Sequence, residues 1–144
     1  NNAGPAALSP DGKRLVFVVA EADGKRFLYV RSLDELIAKR LTDTEGALYP
    51  FWSPDNQFIG FFAQAKLKKI DASGGAPISI CDAGLSRGGT WNTDGTIVFS
   101  PAPGGSLSLV SASGGTPRIS TRFDSLRKEN SHRQRPSIFA NSEG

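Results

Sequence analysis

The 144-residue sequence predicts an all-β chain made of about three four-stranded antiparallel units and the start of a fourth. Three observations predict it. An apolar strand runs into a tight polar turn and out into a second apolar strand at Leu8-Ser9-Pro10-Asp11-Gly12, Trp52-Ser53-Pro54-Asp55-Asn56 and Trp91-Asn92-Thr93-Asp94-Gly95. The turn aspartates stand 44 and 39 residues apart, the spacing of a repeat built on one supersecondary unit. A second mark, Asp71-Ala72-Ser73-Gly74-Gly75, returns 40 residues later as Ser111-Ala112-Ser113-Gly114-Gly115, and Val30, Ile70 and Val110 fall at the same interval. No stretch carries a helical period of apolar residues.

The units follow in order. The first covers about residues 4–42, with its second and third strands joined by Glu21 to Lys25. The second covers about 47–82, and its four strands read as Leu48 to Trp52, Phe58 to Phe62, Leu67 to Ile70 and Pro77 to Cys81. The third covers about 89–121, with Pro101 to Gly105 as the matching inner loop. Ser131 to Phe139 reads as the first strand of a fourth unit at about 131–144, and Asn141 to Gly144 sits where its turn belongs. The turns have a mechanism: proline presets φ, the aspartate bonds its own backbone two residues on, and Gly or Asn accepts positive φ. One four-stranded sheet cannot bury both its faces alone, so such units stack, and a radial stack is a β-propeller.

At these residues the chain resembles a known family. Trp52-Ser53-Pro54-Asp55, then Phe58 to Phe62, Leu67 to Ile70 and Ser73-Gly74-Gly75, is similar to the WD40-like, TolB-type propeller repeat. The stretch from Tyr49-Pro50-Phe51-Trp52 to Gly89-Thr90-Trp91 is similar to propellers fused to bacterial serine/threonine protein kinases, although the kinase's own motifs are absent from the sequence. The resemblance implies six blades, a periplasmic or extracytoplasmic setting, and use as a sensor, a protein-docking platform or a gating domain of a serine peptidase. Three units are half of six. Either the sequence is a piece of a longer protein or two identical arcs close one ring as a homodimer, because arc ends carrying residues such as Val16, Phe17, Ile97 and Phe99 are apolar.

Composition bounds the class. With 38% hydrophobic and 22% charged residues and a mean hydropathy of −0.26, the chain has the makeup of a water-exposed globular domain. A net charge of +3 with scattered basic residues gives no footprint for nucleic acid. One histidine, the lone Cys81 and turn carboxylates supply no metal constellation, and no cofactor is expected. Cys81 reads as a small hydrophobe in an outer strand. No apolar run is long enough for a membrane span and no leader is present, but the absence of methionine indicates a chain cut at its start.

Two function classes stand. The first is a non-catalytic sensor or protein-interaction propeller, binding protein or a small ligand at the end where the blade connectors gather: Thr42 to Leu48, Asp82 to Gly89 and Asp124 to Arg135. Tyr49, Arg87, His132 and Arg133 are the side chains suited to that site. The second is a small serine esterase, since Gly84-Leu85-Ser86-Arg87-Gly88 matches the Gly-x-Ser-x-Gly nucleophile elbow. There Ser86 would pair with His132, oriented by Asp82, Asp124 or Glu129. The elbow's following helix is missing, because Gly88 runs straight into a strand. A gating fragment of a serine peptidase is a further alternative.

Overall fold

The computed structural model describes residues 6–84, 86–101 and 106–120, and every regular element among them is a strand. β1 (Ala7–Leu8), β2 (Arg14–Ala20), β3 (Arg26–Ser32) and β4 (Lys39–Arg40) form one sheet in that order. β5 (Leu48–Trp52), β6 (Phe58–Ala63), β7 (Lys66–Asp71) and β8 (Ile78–Asp82) form the second, and β9 (Gly89–Trp91), β10 (Thr96–Phe99), β11 (Leu107–Ser111) and β12 (Arg118–Ser120) the third. Neighbouring strands are antiparallel throughout. The expected architecture, a partial propeller of three four-stranded blades, is the one observed. Ser131 to Gly144, read as the start of a fourth unit, lie outside the described residues.

Side chains on a strand alternate between faces, and the middle blade uses both. Along β6, Ile59, Phe61 and Ala63 join Val16, Leu28, Val30 and Leu41 of the first blade in one core cluster. Phe62 turns the other way and joins Leu67 and Ile80 with Ile97, Phe99 and Val110 of the third blade. A strand covered on both sides needs an unbroken apolar run, which Phe58-Ile59-Gly60-Phe61-Phe62-Ala63 provides. Within that run Gly60 makes room for the Phe51 ring, which a Cβ at position 60 would overlap, and the same ring lies 3.0 Å from where a Cβ on Gly89 would stand. Pro50 cannot donate to a ladder, so it sits on the edge strand β5, beside an irregularity in register between Leu48 and Phe51.

The turns hold as their composition suggests. The Ser9 hydroxyl donates to Asp11 Oδ1 at 2.6 Å, the Lys13 N–H donates to the same oxygen at 3.0 Å, and the Arg14 N–H donates to Ser9 Oγ at 3.0 Å. Ser53, Asp55, Gln57 and Phe58 repeat the arrangement at 2.5, 3.1 and 2.9 Å. The third turn is one residue shorter, with the Thr96 N–H on Asp94 Oδ1 at 2.9 Å. In each blade the N–H after the third strand donates to the first turn: Leu33 to Lys13, Ala72 to Gln57 and Ala112 to Gly95.

Two details differ from the sequence expectation. The strand pairing aligns Leu15 and Arg31 with Ile59 and Ile70 and with Ile97 and Val110, so Arg31, not Val30, is the first blade's counterpart of Ile70. The cause is the hairpin between β2 and β3. It is longer than the one between β6 and β7, whose two loop residues Gln64 and Ala65 both have positive φ, as a tight two-residue hairpin requires. Second, Val16, Ile97 and Phe99, named for the arc ends, face inward between blades, and only Phe17 of that set lies on an end face.

Gly60→Ala should therefore lower stability by about 1–3 kcal/mol through overpacking against Phe51. Urea unfolding measures this, and adding Phe51→Leu should recover part of the loss.

Candidate functional site

An up-and-down blade puts the connectors at one end and the Ser-Pro-Asp turns at the other. At the connector end Ser86 is only 5% exposed, and its hydroxyl donates to the Ala83 carbonyl at 2.5 Å. The preceding connector carries the same device. Thr44, fully buried, donates to the Leu41 carbonyl at 2.6 Å and accepts the Leu28 N–H at 3.0 Å. In both connectors a hydroxyl closes the turn by donating three residues back, to the carbonyl of the first residue after an outermost strand. Asp82 meets Lys66 Nζ at 2.5 Å, and that ammonium holds its carboxyl below the usual range. Arg87 is exposed, while Tyr49, with φ of 52°, packs against the second core cluster. His132, Arg133, Asp124 and Glu129 lie outside the described residues. Burial, with some help from Asp82, pushes the half-buried Cys81 thiol up, away from thiolate chemistry. Among the described residues no three metal-binding side chains cluster.

The turn end is built differently at its two junctions. Between the first and second blades, Trp52 Nε1 donates to the Ala7 carbonyl at 2.8 Å, and the Arg14 guanidinium lies 5.0 Å from the indole centre. Arg14 Nη2 also donates to the Asn56 carbonyl, and the Asp11 N–H donates to Asn56 Oδ1 at 2.9 Å. That junction is laced shut. Between the second and third blades, Phe58 takes Arg14's place and stacks on Trp91 at 6.1 Å and 16°, with Phe51 edge-on to the same indole at 6.4 Å. Lys69 Nζ sits 5.4 Å from the Phe58 ring. Two cavities of about 640 and 610 Å³ open at this end, sharing Pro54, Trp91, Asn92, Thr93 and Asp94, and the first reaches across to Pro10 and Trp52. Asp94 is the turn former that its sequence position predicts, and Trp91, half-buried, packs against the second core cluster. The cavities have one trace in the sequence, Gly95 standing where the preceding turn has Asn56.

Structural comparison finds propellers. A protein assigned as TolB from Agrobacterium tumefaciens superposes with a TM-score of 0.66 at 22% identity, covering 83% of this chain and 50% of that one. TolB from Acinetobacter baumannii gives 0.65 at 22% identity over 81% of this chain and 31% of its own. The β-propeller domain of the Trilobed protease from Pyrococcus furiosus gives 0.59 at 19% identity over 82% and 43%. The chain thus spans half or less of each, and the likeness establishes the fold. Sequence comparison finds no matching family model and no matching curated protein.

The turn carboxylates set a pH dependence. The Ser9 hydroxyl and then the Lys13 N–H hold the Asp11 carboxyl below its ordinary value; Ser53 and Gln57 do so for Asp55, and the Ser73 hydroxyl and N–H for Asp71. A carboxyl lowered by folding stabilises the native state above its unfolded pKa near 4, and that stabilisation is lost as pH falls through the folded value. The urea midpoint should therefore be level above about pH 5 and decline below about pH 4. Asp55→Asn should make the decline shallower, and a midpoint unchanged down to pH 3 would rule this linkage out.

Proposed function

We propose that this chain is a non-catalytic propeller segment that works by binding other proteins. The fold it shares with TolB-type propellers supports this, since such blades present rigid loop clusters to partners. The observation that carries it is the Ser86 hydroxyl. A nucleophile's oxygen must be free to meet a base and a substrate, whereas Ser86 is buried, donates to Ala83, and repeats the turn-closing role of Thr44. Ser86→Ala should therefore cost about 1–3 kcal/mol of stability by stripping a buried carbonyl of its donor. Hydrolysis of short-chain p-nitrophenyl esters should be the same with and without the hydroxyl. Loss of a robust esterase rate in that variant, with its fold intact, would favour the Ser86, His132 and Asp82 reading instead.

The connector end, with Tyr49 and Arg87, is one place for a protein or small ligand, in the extracytoplasmic setting that the resemblance suggests; His132 and Arg133, which the sequence adds to that site, lie outside the described residues. A second copy of the chain is the natural cover for the arc's ends. Leu28 and Leu67 occupy one repeat position and are fully buried, while Leu107, the same position on the last described blade, is half-buried. Ile59 and Ile97 are fully buried, while their first-blade counterpart Leu15 is half-buried, and Leu8 stands 53% exposed where Trp52 is 8% exposed. Light scattering should give twice the chain mass at micromolar concentration, and Leu107→Arg should return it to the monomer. A monomer at high concentration would exclude the paired arcs while leaving the non-catalytic reading standing.

A further inference from the structure

The junction between the second and third blades is open where its neighbour is closed, and the difference lies in a few residues. Asn56 laces the first junction through both its side-chain oxygen and its carbonyl. Gly95, its counterpart in a turn one residue shorter, has no side chain to reach back with. Lys69 stands at the repeat position where Val30 is buried in the first junction, so a charged group borders the cleft where the first junction has core. The result is a pair of cavities that share Trp91 as a wall and have Pro10 and Trp52 at one end and Ser111 to Ser113 at the other.

Two further features describe what would fit. The Trp52 indole N–H is spent on the Ala7 carbonyl, but the Trp91 indole N–H has no hydrogen-bond partner among the described residues, although Trp91 lines both cavities. An indole donor in a half-buried wall favours an acceptor such as a peptide carbonyl. Among the described residues that line the cleft, Asp55 and Asp94 face one cation, Lys69, so this lining carries a net negative charge. One junction away the chain pairs a guanidinium with an indole, Arg14 lying on Trp52 and donating to the Asn56 carbonyl; over Trp91 that place is filled by Phe58, so an arginine here meets the Phe58 and Trp91 wall from the cleft side.

We propose that this cleft, at the end opposite the connectors, binds an extended peptide bearing an arginine. A backbone carbonyl of the peptide takes the Trp91 indole N–H, and the guanidinium lies against the aromatic wall between the Asp55 and Asp94 carboxylates. The site is complete within one chain, so it stands whether or not arcs pair, and its partner is a protein with an arginine in an unstructured or strand-like segment.

The test uses the two indole N–H resonances of the ¹⁵N-labelled full chain, assigned with Trp52→Phe. Acetyl-Gly-Arg-Gly-Arg-Gly-amide should shift the Trp91 signal saturably and leave the Trp52 signal in place, whereas the same peptide with glutamate for arginine should move neither. Thr93→Arg, at an exposed turn position, puts a competing cation in the cleft and should weaken binding about tenfold. Asp94→Asn keeps an acceptor for the Thr96 N–H but removes the charge, and should weaken binding several-fold. The Trp52 signal reports whether each variant remains folded. Trp91 unmoved by the arginine peptide, moved equally by the glutamate peptide, or moved equally in Thr93→Arg would each overturn the assignment.

Discussion

Each blade has two apolar faces and can cover neither by itself; the whole arrangement follows from that. Ile59 and Phe61 on one side of β6 and Phe62 on the other reach full or near-full burial only because a sheet lies on each side. Burial of one such side chain is worth about 1.5–3 kcal/mol. The exposed ion pair of Lys25 and Glu45, 3.7 Å apart, belongs to a class worth about 0–1 kcal/mol. Packing between blades therefore outweighs surface charge here, and the arc's cohesion resides in its two internal junctions.

The turns convert that packing into geometry. An aspartate that collects a backbone N–H, and in the first two turns a serine hydroxyl as well, fixes where each innermost strand ends, and so where Trp52 and Trp91 meet the preceding blade. Once the turn is fixed, the next side chains decide what the junction becomes. Asn56 and Arg14 lace the first one closed, whereas Gly95, Phe58 and Lys69 leave the second with an aromatic wall and a charged rim. The same scaffold thus yields a structural joint in one place and a cleft in the next.

Much of the fold was legible in the sequence because its signals are local. Proline, aspartate and glycine or asparagine mark a reversal within five residues, and the apolar runs between marks have strand length. What was not legible depended on length or on contacts between blades. The 44-residue interval between the first two aspartates hides a longer β2–β3 hairpin, which moved the counterpart of Ile70 from Val30 to Arg31. Sequence alternation alone could not say which of Val16 and Phe17 faced a neighbour. The candidate site was less readable still. Ser86 matched a catalytic pattern, yet its spacing to Ala83 repeats that of Thr44 to Leu41, a likeness visible only once both hydroxyls are placed. The cleft at Trp91 arises from a side chain that Gly95 lacks, opposite a turn 40 residues earlier, and no local pattern reports such a vacancy.

If junctions rather than individual blades hold the arc together, no blade should unfold by itself. Urea unfolding followed by fluorescence in Trp52→Phe and Trp91→Phe reads the second and first junctions separately, each through the remaining indole. Each variant should show one cooperative transition, coincident with its own far-ultraviolet circular dichroism. Two resolved transitions in either variant, one indole released while most β-structure persists, would mean that the blades are independently stable and that this reading of their cohesion is wrong.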